Sequence, residues 1–205
     1  MIKNSYRSVL TIRCLGLALA LSSLTACAGS LFKVKPTVDL PPLPATAKSG
    51  DAGGVGLRVA PLLTDEESQD LFEANLPLSG VLPVRVELSY ETGGVPLDLK
   101  RARFLLRDGA GGEGGREWKA MSPKQAVSRI MKTNDVYLYN PNSRKQFEKE
   151  FAAYAIDLKT PLTTSERRRQ GFLFFQTPGK EPVRSPGRLV LSLAGLSQPL
   201  AIQLN

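Results

Sequence analysis

The run Leu82-Pro83-Val84-Arg85-Val86-Glu87-Leu88-Ser89-Tyr90-Glu91 decides the fold class. Leu82, Val84, Val86, Leu88 and Tyr90 alternate with Pro83, Arg85, Glu87, Ser89 and Glu91. A period of two sends the apolar set to one face and the polar set to the other, the pattern of a half-buried antiparallel strand. Gly93-Gly94 follows as a turn. Upstream, Val55, Leu57 and Val59 alternate with Gly56, Arg58 and Ala60 and predict a first strand. Between the two strands, Thr64-Asp65-Glu66-Glu67 reads as a capping box, Thr64 as N-cap and Glu67 reaching back. The helix it opens turns Leu71 and Phe72 inward and stops before Pro77. Downstream, residues 97–107 alternate less strictly, and the pattern returns at Phe104 and Leu106.

The second half continues in the same style. A glycine loop spans Gly109 to Gly115. Ser122-Pro123-Lys124-Gln125 is a second capping box, with proline in the first turn, and predicts a helix to about Lys132. Val136 to Tyr139 is a short apolar piece, and Asn140-Pro141-Asn142-Ser143 has turn chemistry. A helix from about Ser143 to Ala155 carries Phe147, Phe151 and Tyr154 on one stripe, which reads as core packing. After a polar loop at 160–170, three strands close the chain over 171–177, 188–194 and 199–204. The stretch Gly171-Phe172-Leu173-Phe174-Phe175-Gln176 is apolar on both faces, so it predicts a central strand covered by a second sheet or a helix. Many short strands, turn signals and inserted helices predict a mainly β domain. The expected architecture is an antiparallel β-sandwich, immunoglobulin-like or Greek-key, with two or three short helices inserted. The Cys-Trp-Cys hallmark of antibody domains is absent.

The amino terminus has a different character. Lys3, Arg7 and Arg13 precede an apolar run from Cys14 to Leu24 that is too short for a permanent bilayer span, and Leu24-Thr25-Ala26-Cys27 follows. This tetrad resembles the lipobox of bacterial lipoproteins. The resemblance implies that residues 1–26 are a signal peptide and that Cys27 becomes the first residue, its thiol bearing a diacylglycerol and its amine an acyl chain such as palmitate. Each buried methylene contributes about 0.8 kcal/mol, so two or three chains hold where one holds only marginally. Ala28 after the Cys, where an Asp would argue for inner-membrane retention, implies the outer membrane of a two-membrane bacterium, facing the periplasm. Two other readings of these residues stay open. Ala26-Cys27-Ala28 also fits an ordinary secretory cleavage site, and an uncleaved segment would be a signal anchor. Residues 27–54 hold the lipidated Cys and a tether, semi-rigid at Pro36, Pro41, Pro42 and Pro44 and flexible after Ala45, with a span of about 30 Å as a coil. Residues 55–205 then form a single domain.

Composition narrows the function. The chain has 205 residues and no histidine, which removes the commonest metal ligand and the commonest general base. Its two cysteines are Cys14, which leaves with the leader, and Cys27, which the lipid consumes. The usual zinc sites and any Ser-His-Asp or Cys-His site are therefore excluded, and no metal or cofactor is expected. The leader holds three basic residues and no acid, so the mature chain carries 24 basic against 19 acidic residues. That mild excess reads first as solubility, and the compartment argues against nucleic acid.

The remaining motifs weaken in context. Gly109-Ala110-Gly111-Gly112-Glu113-Gly114 matches G-x-G-x-x-G, but no helix opens there to meet a pyrophosphate. Ser30-Leu31-Phe32-Lys33 matches S-x-x-K inside the tether, where nothing would hold the pair, and its companion motifs are missing. Asp65, Glu66, Glu67 and Asp70 cluster where a cap and a helix dipole favour acids. Arg167, Arg168 and Arg169 form the strongest basic run and are the candidate partner-binding residues, through forked contacts to phosphate or carboxylate. Trp118, beside the glycine loop, is their candidate neighbour. The expected function is that of a membrane-anchored envelope lipoprotein, a non-catalytic binding or structural module. Its expected partners are membrane lipid through the acylated Cys27 and an envelope protein or anionic envelope polymer. The alternative is a histidine-free hydrolase of cell-wall or polysaccharide material, working through two carboxylates.

Overall fold

The computed structural model describes residues 40–91, 95–107, 116–134, 141–194 and 196–205, with backbone only at 141–143. The leader, Cys27, the Ser30–Lys33 motif, Gly93-Gly94, the glycine loop 109–115 and the 136–139 piece lie outside these residues. Strand β3 (Val81–Tyr90) is formed by the alternating run at 82–90. Its inward row is Leu82, Val84, Val86 and Leu88, each at most 1% exposed. On one side it pairs with β2 (Val55–Pro61), setting Leu57 opposite Leu88 and Val59 opposite Val86. On the other it pairs with β6 (Arg168–Gln176), setting Leu82 opposite Phe175 and Val84 opposite Leu173.

The remaining strands are β1 (Lys48–Ala52), β4 (Arg103–Arg107), β5 (Glu117–Met121), β7 (Arg188–Ser192) and β8 (Leu200–Gln203). All eight join one antiparallel sheet in the order β1-β2-β3-β6-β5-β4-β7-β8. The sheet curls until its two edges meet. Lys48 Nζ donates to the Asn205 carbonyl at 3.4 Å, and a Cβ on Gly50 of β1 would stand 3.3 Å from side-chain carbons of Leu200 and Ile202 near β8. The edges touch without a hydrogen-bonded ladder, so the form is a nearly closed barrel, filled by one apolar core drawn from all its sides.

This differs from the expected pair of stacked sheets, and β5 is the reason. Its first residues pair with β4 (Leu105 with Lys119, Leu106 with Trp118), and its last two pair with β6 (Ala120 with Phe175, Met121 with Phe174). The strand thus stitches the two halves together. Period-two alternation reports which residues face a core, not which strands are hydrogen-bonded around it. A second difference lies at the start. Residues 48–52, expected as flexible tether, form β1. Gly53 and Gly54 have φ of 56° and 77°, the two positive values that a tight two-residue hairpin of this hand requires, and Ala52 pairs with Val55 across them. Leu43, further upstream, is also buried.

Among the described residues, three α-helices cover the outer face of β3 and β6: α1 (Asp65–Phe72), α2 (Pro123–Thr133) and α3 (Pro141–Tyr154). Both capping boxes form. Thr64 Oγ1 accepts from the Glu67 N–H at 3.2 Å, and Glu67 Oε2 accepts from the Thr64 N–H at 3.1 Å. Ser122 and Gln125 exchange the same bonds at α2. Phe72, Phe147, Phe151 and Tyr154 pack with Phe172 and Phe174 into a second core between helices and sheet. That explains why β6 is apolar on both faces: Leu173 and Phe175 fill the barrel while Phe172 and Phe174 meet the helices.

Candidate functional site

The basic run does not act as one unit. Arg167 and Arg168 are exposed, whereas Arg169 is 8% exposed. Arg169 is the second residue of β6 rather than part of a loop, paired with Leu88. Its guanidinium donates to the backbone carbonyls of Asp157 (3.0 Å), Thr160 and Pro161 (3.3 Å), and it pairs with Glu166 at 2.8 Å. Those bonds tie the 157–161 segment to the sheet. Asp157, also near Arg169, has its carboxyl held below the usual range, first by the Thr160 hydroxyl and then by the Lys159 N–H. Arg169, expected as exposed charge, is thus buried and acts as a structural clamp. Arg169→Ala is expected to lower stability by about 3 kcal/mol, because several charge-assisted bonds vanish at once. Arg167→Ala with Arg168→Ala should stay within about 0.5 kcal/mol. Thermal melting of the two variants checks the contrast; equal melting temperatures would contradict the clamp.

Trp118, expected beside Arg169 on the surface, is buried as well. It is 6% exposed and belongs to the barrel core, because alternation along β5 sends Glu117 and Lys119 outward and Trp118 inward. Its Nε1 is buried without a hydrogen-bond partner among the described residues.

The acidic cluster sits at the start of α1, as a cap requires. Glu67 and Asp70 line a cleft of about 390 Å³ with Lys48 and Arg85. Glu67 already accepts from the Leu63 and Thr64 N–H groups at 2.9 and 3.1 Å. The two acids stand three residues apart on one helix, side by side on one wall, whereas a two-carboxylate hydrolase sets its acids on opposite sides of the scissile bond. Arg85, 4% exposed, donates to Gln170 Oε1 at 3.1 Å. Burial lowers its pKa from the ordinary value, and the nearby Glu87 carboxylate opposes that shift. Among the described residues no group of three or more His, Cys, Asp or Glu is placed to hold a metal ion.

A cavity lies where β5 changes partners. Once Ala120 and Met121 turn to β6, Arg103 and Phe104 of β4 have a strand on one side only, β7. On β6, the Phe172 carbonyl is taken by the Ile156 N–H at 3.1 Å rather than by a strand. The sheet opens there into a cleft of about 600 Å³. Phe104, Met121, Ile156, Phe172, Phe174 and Val190 give it an apolar lining. Among the described residues, Arg103 and Lys119, both exposed, are its only charged lining residues. Among the described residues neither forms an ion pair.

Sequence reading missed this cleft because it missed β5. The five residues Glu117–Met121 hold one fully inward apolar side chain, Trp118, too few to display a period. The available signal was Trp118 flanked by Glu117 and Lys119 just before the Ser122 cap. Among the described residues no helix is long and apolar enough to cross a membrane. Compared with protein-family models, curated proteins and solved structures, the chain matches none.

Proposed function

We propose that this chain is a lipid-anchored envelope protein whose barrel-like domain is a non-catalytic binding module working through the cleft between β4 and β6. The observation that carries the binding reading is the cleft itself: apolar walls, two cations at its edge and, among the described residues, no carboxylate in its lining. Its volume of about 600 Å³ falls in the range of about 300–1,000 Å³ usual for small-molecule sites. The anchor reading rests on Lys3, Arg7 and Arg13, the apolar run and Leu24-Thr25-Ala26-Cys27. The lipobox resemblance, with Ala28 after the Cys, implies the outer membrane and a domain facing the periplasm. The hydrolase alternative has less support, because Glu67 is engaged in its cap and shares one wall with Asp70.

Fractionation of cells carrying wild type or Cys27→Ala tests the anchor. Wild type should sediment with membranes and resist high salt, which strips proteins held only by surface charge. Cys27→Ala should accumulate as the unprocessed precursor. Normal processing of the variant, together with a soluble wild type, would refute the anchor.

A further inference from the structure

We infer that the cleft between β4 and β6 binds a single-chain anionic amphiphile of the long-chain fatty-acid class. The apolar chain would lie along the partly exposed Leu105, Met121, Leu158 and Val190, and the carboxylate would sit between Arg103 and Lys119. This rests on the reading of the cleft as the binding site and names its ligand.

The charges come first. Lys119 stands opposite Leu105, and Arg103 is two residues further along β4 on the same face. Such diagonal neighbours lie about 7–8 Å apart. Two like charges that close, with no acid among the described residues lining the cleft, repel each other. An anion bridging them relieves the repulsion and gains charge-assisted hydrogen bonds, which a neutral ligand cannot do. A cationic ligand is disfavoured by the same pair.

The walls then select among anions. A small inorganic anion would use the edge and leave the apolar lining wet. An added peptide strand is disfavoured by length. Only Arg103 and Phe104 of β4 lack a partner on the β5 side, against about 5–6 residues in an average strand. A hydrocarbon chain needs no backbone ladder. It can thread between strands whose hydrogen bonds are already placed elsewhere, and it buries apolar surface on both its flanks.

The chain supplies its own reporter. Trp118 is the only tryptophan and lies beside Lys119, so its emission can pass to parinaric acid, a polyene fatty acid, seated in the cleft. The experiment uses the purified full chain held in amphipol. Energy transfer should saturate and be displaced by oleate. Val190→Phe, on the cleft wall, should abolish it; Ser192→Phe, at the exposed end of β7, serves if the first variant does not fold. The double change Arg103→Glu with Lys119→Glu should weaken parinarate binding about tenfold or more, the scale of a lost charge-assisted contact, yet leave the uncharged methyl ester little changed. Absence of saturable transfer, or transfer unaltered in folded Val190→Phe and Ser192→Phe, would overturn the inference. Failure with the fatty acid, while Val190→Phe still releases a co-purifying envelope component, would remove the amphiphile and leave the cleft as the binding site. Failure of both would remove the binding reading as well.

Discussion

Gly171→Val is expected to leave the protein largely unfolded, with a loss of more than about 4 kcal/mol. Gly171 lies in β6 opposite Val86, where the chain at Ile156 crosses close to the strand. A Cβ at Gly171 would stand 2.5 Å from both the N and the Cα of Ile156. Those are backbone atoms, so no rotamer change relieves the clash. The segment must move away, and three things go with it: the Ile156 N–H to Phe172 carbonyl bond at 3.1 Å, the burial of Ile156 and the alignment of the carbonyls that Arg169 clamps. Gly171→Ala should show the same effect in weaker form. Gly179→Ala is the control, since its nearest contact would be an ordinary 3.8 Å, and it should change stability by no more than about 0.5 kcal/mol. Circular dichroism with urea titration reads all three. A Gly171→Ala midpoint equal to wild type would show that the segment yields freely, contrary to this account.

Phe72→Ala should cost about 3–5 kcal/mol, the usual range for emptying a buried phenylalanine site. Phe72 is fully buried at the end of α1. Its ring centroid lies 5.2 Å from Phe151, 5.1 Å from Tyr154, 5.4 Å from Phe172 and 6.1 Å from Phe174. One ring thus joins two helices to the outer face of β6, and no single neighbour can collapse into the space. Phe172 and Phe174 also form one wall of the cleft, so the variant that survives should bind more weakly. Phe72→Leu retains most of the volume and should lose less than half as much stability. Urea midpoints for the two variants check the order. A Phe72→Ala loss below about 1 kcal/mol would show that the helical layer is not packed through this residue.

The legible parts of the fold were those with enough residues to display a period. β3 declares itself over ten residues, and β6 declares its central position by being apolar on both faces. The capping boxes at Thr64 and Ser122 were legible because each is a local exchange of hydrogen bonds that needs no tertiary contact. What escaped was short or non-local. Lys48-Ser49-Gly50-Asp51-Ala52 has no strand-favouring side chain, and its pairing is imposed by the Gly53-Gly54 hairpin and by β2. The curling of one sheet into a near-barrel depends on β5 dividing its bonds between β4 and β6, which no residue spacing announces.

The candidate site shows the same division. A run of three arginines reads as exposed charge, yet the pleat turns Arg169 inward, where the carbonyls of Asp157, Thr160 and Pro161 neutralise the cost of burial. Trp118 beside glycines reads as exposed, yet the same pleat buries it. Gly171 carried a signal that was there to be read: a lone glycine within a strand pattern marks a close backbone approach. Arg103 and Lys119 are ordinary surface residues in sequence, and only the parting of β4 from β6 makes them the edge of a cleft.

Lipid on Cys27 is proposed to hold the barrel-like domain at a membrane. Intact-mass spectrometry of the full chain extracted from the membrane fraction tests it most directly. The expected species begins at Cys27, lacks residues 1–26 and carries the added mass of a diacylglyceryl group, with or without an acylated amine. A chain that begins after Ala28, or that retains residues 1–26 with an unmodified Cys27, would contradict it.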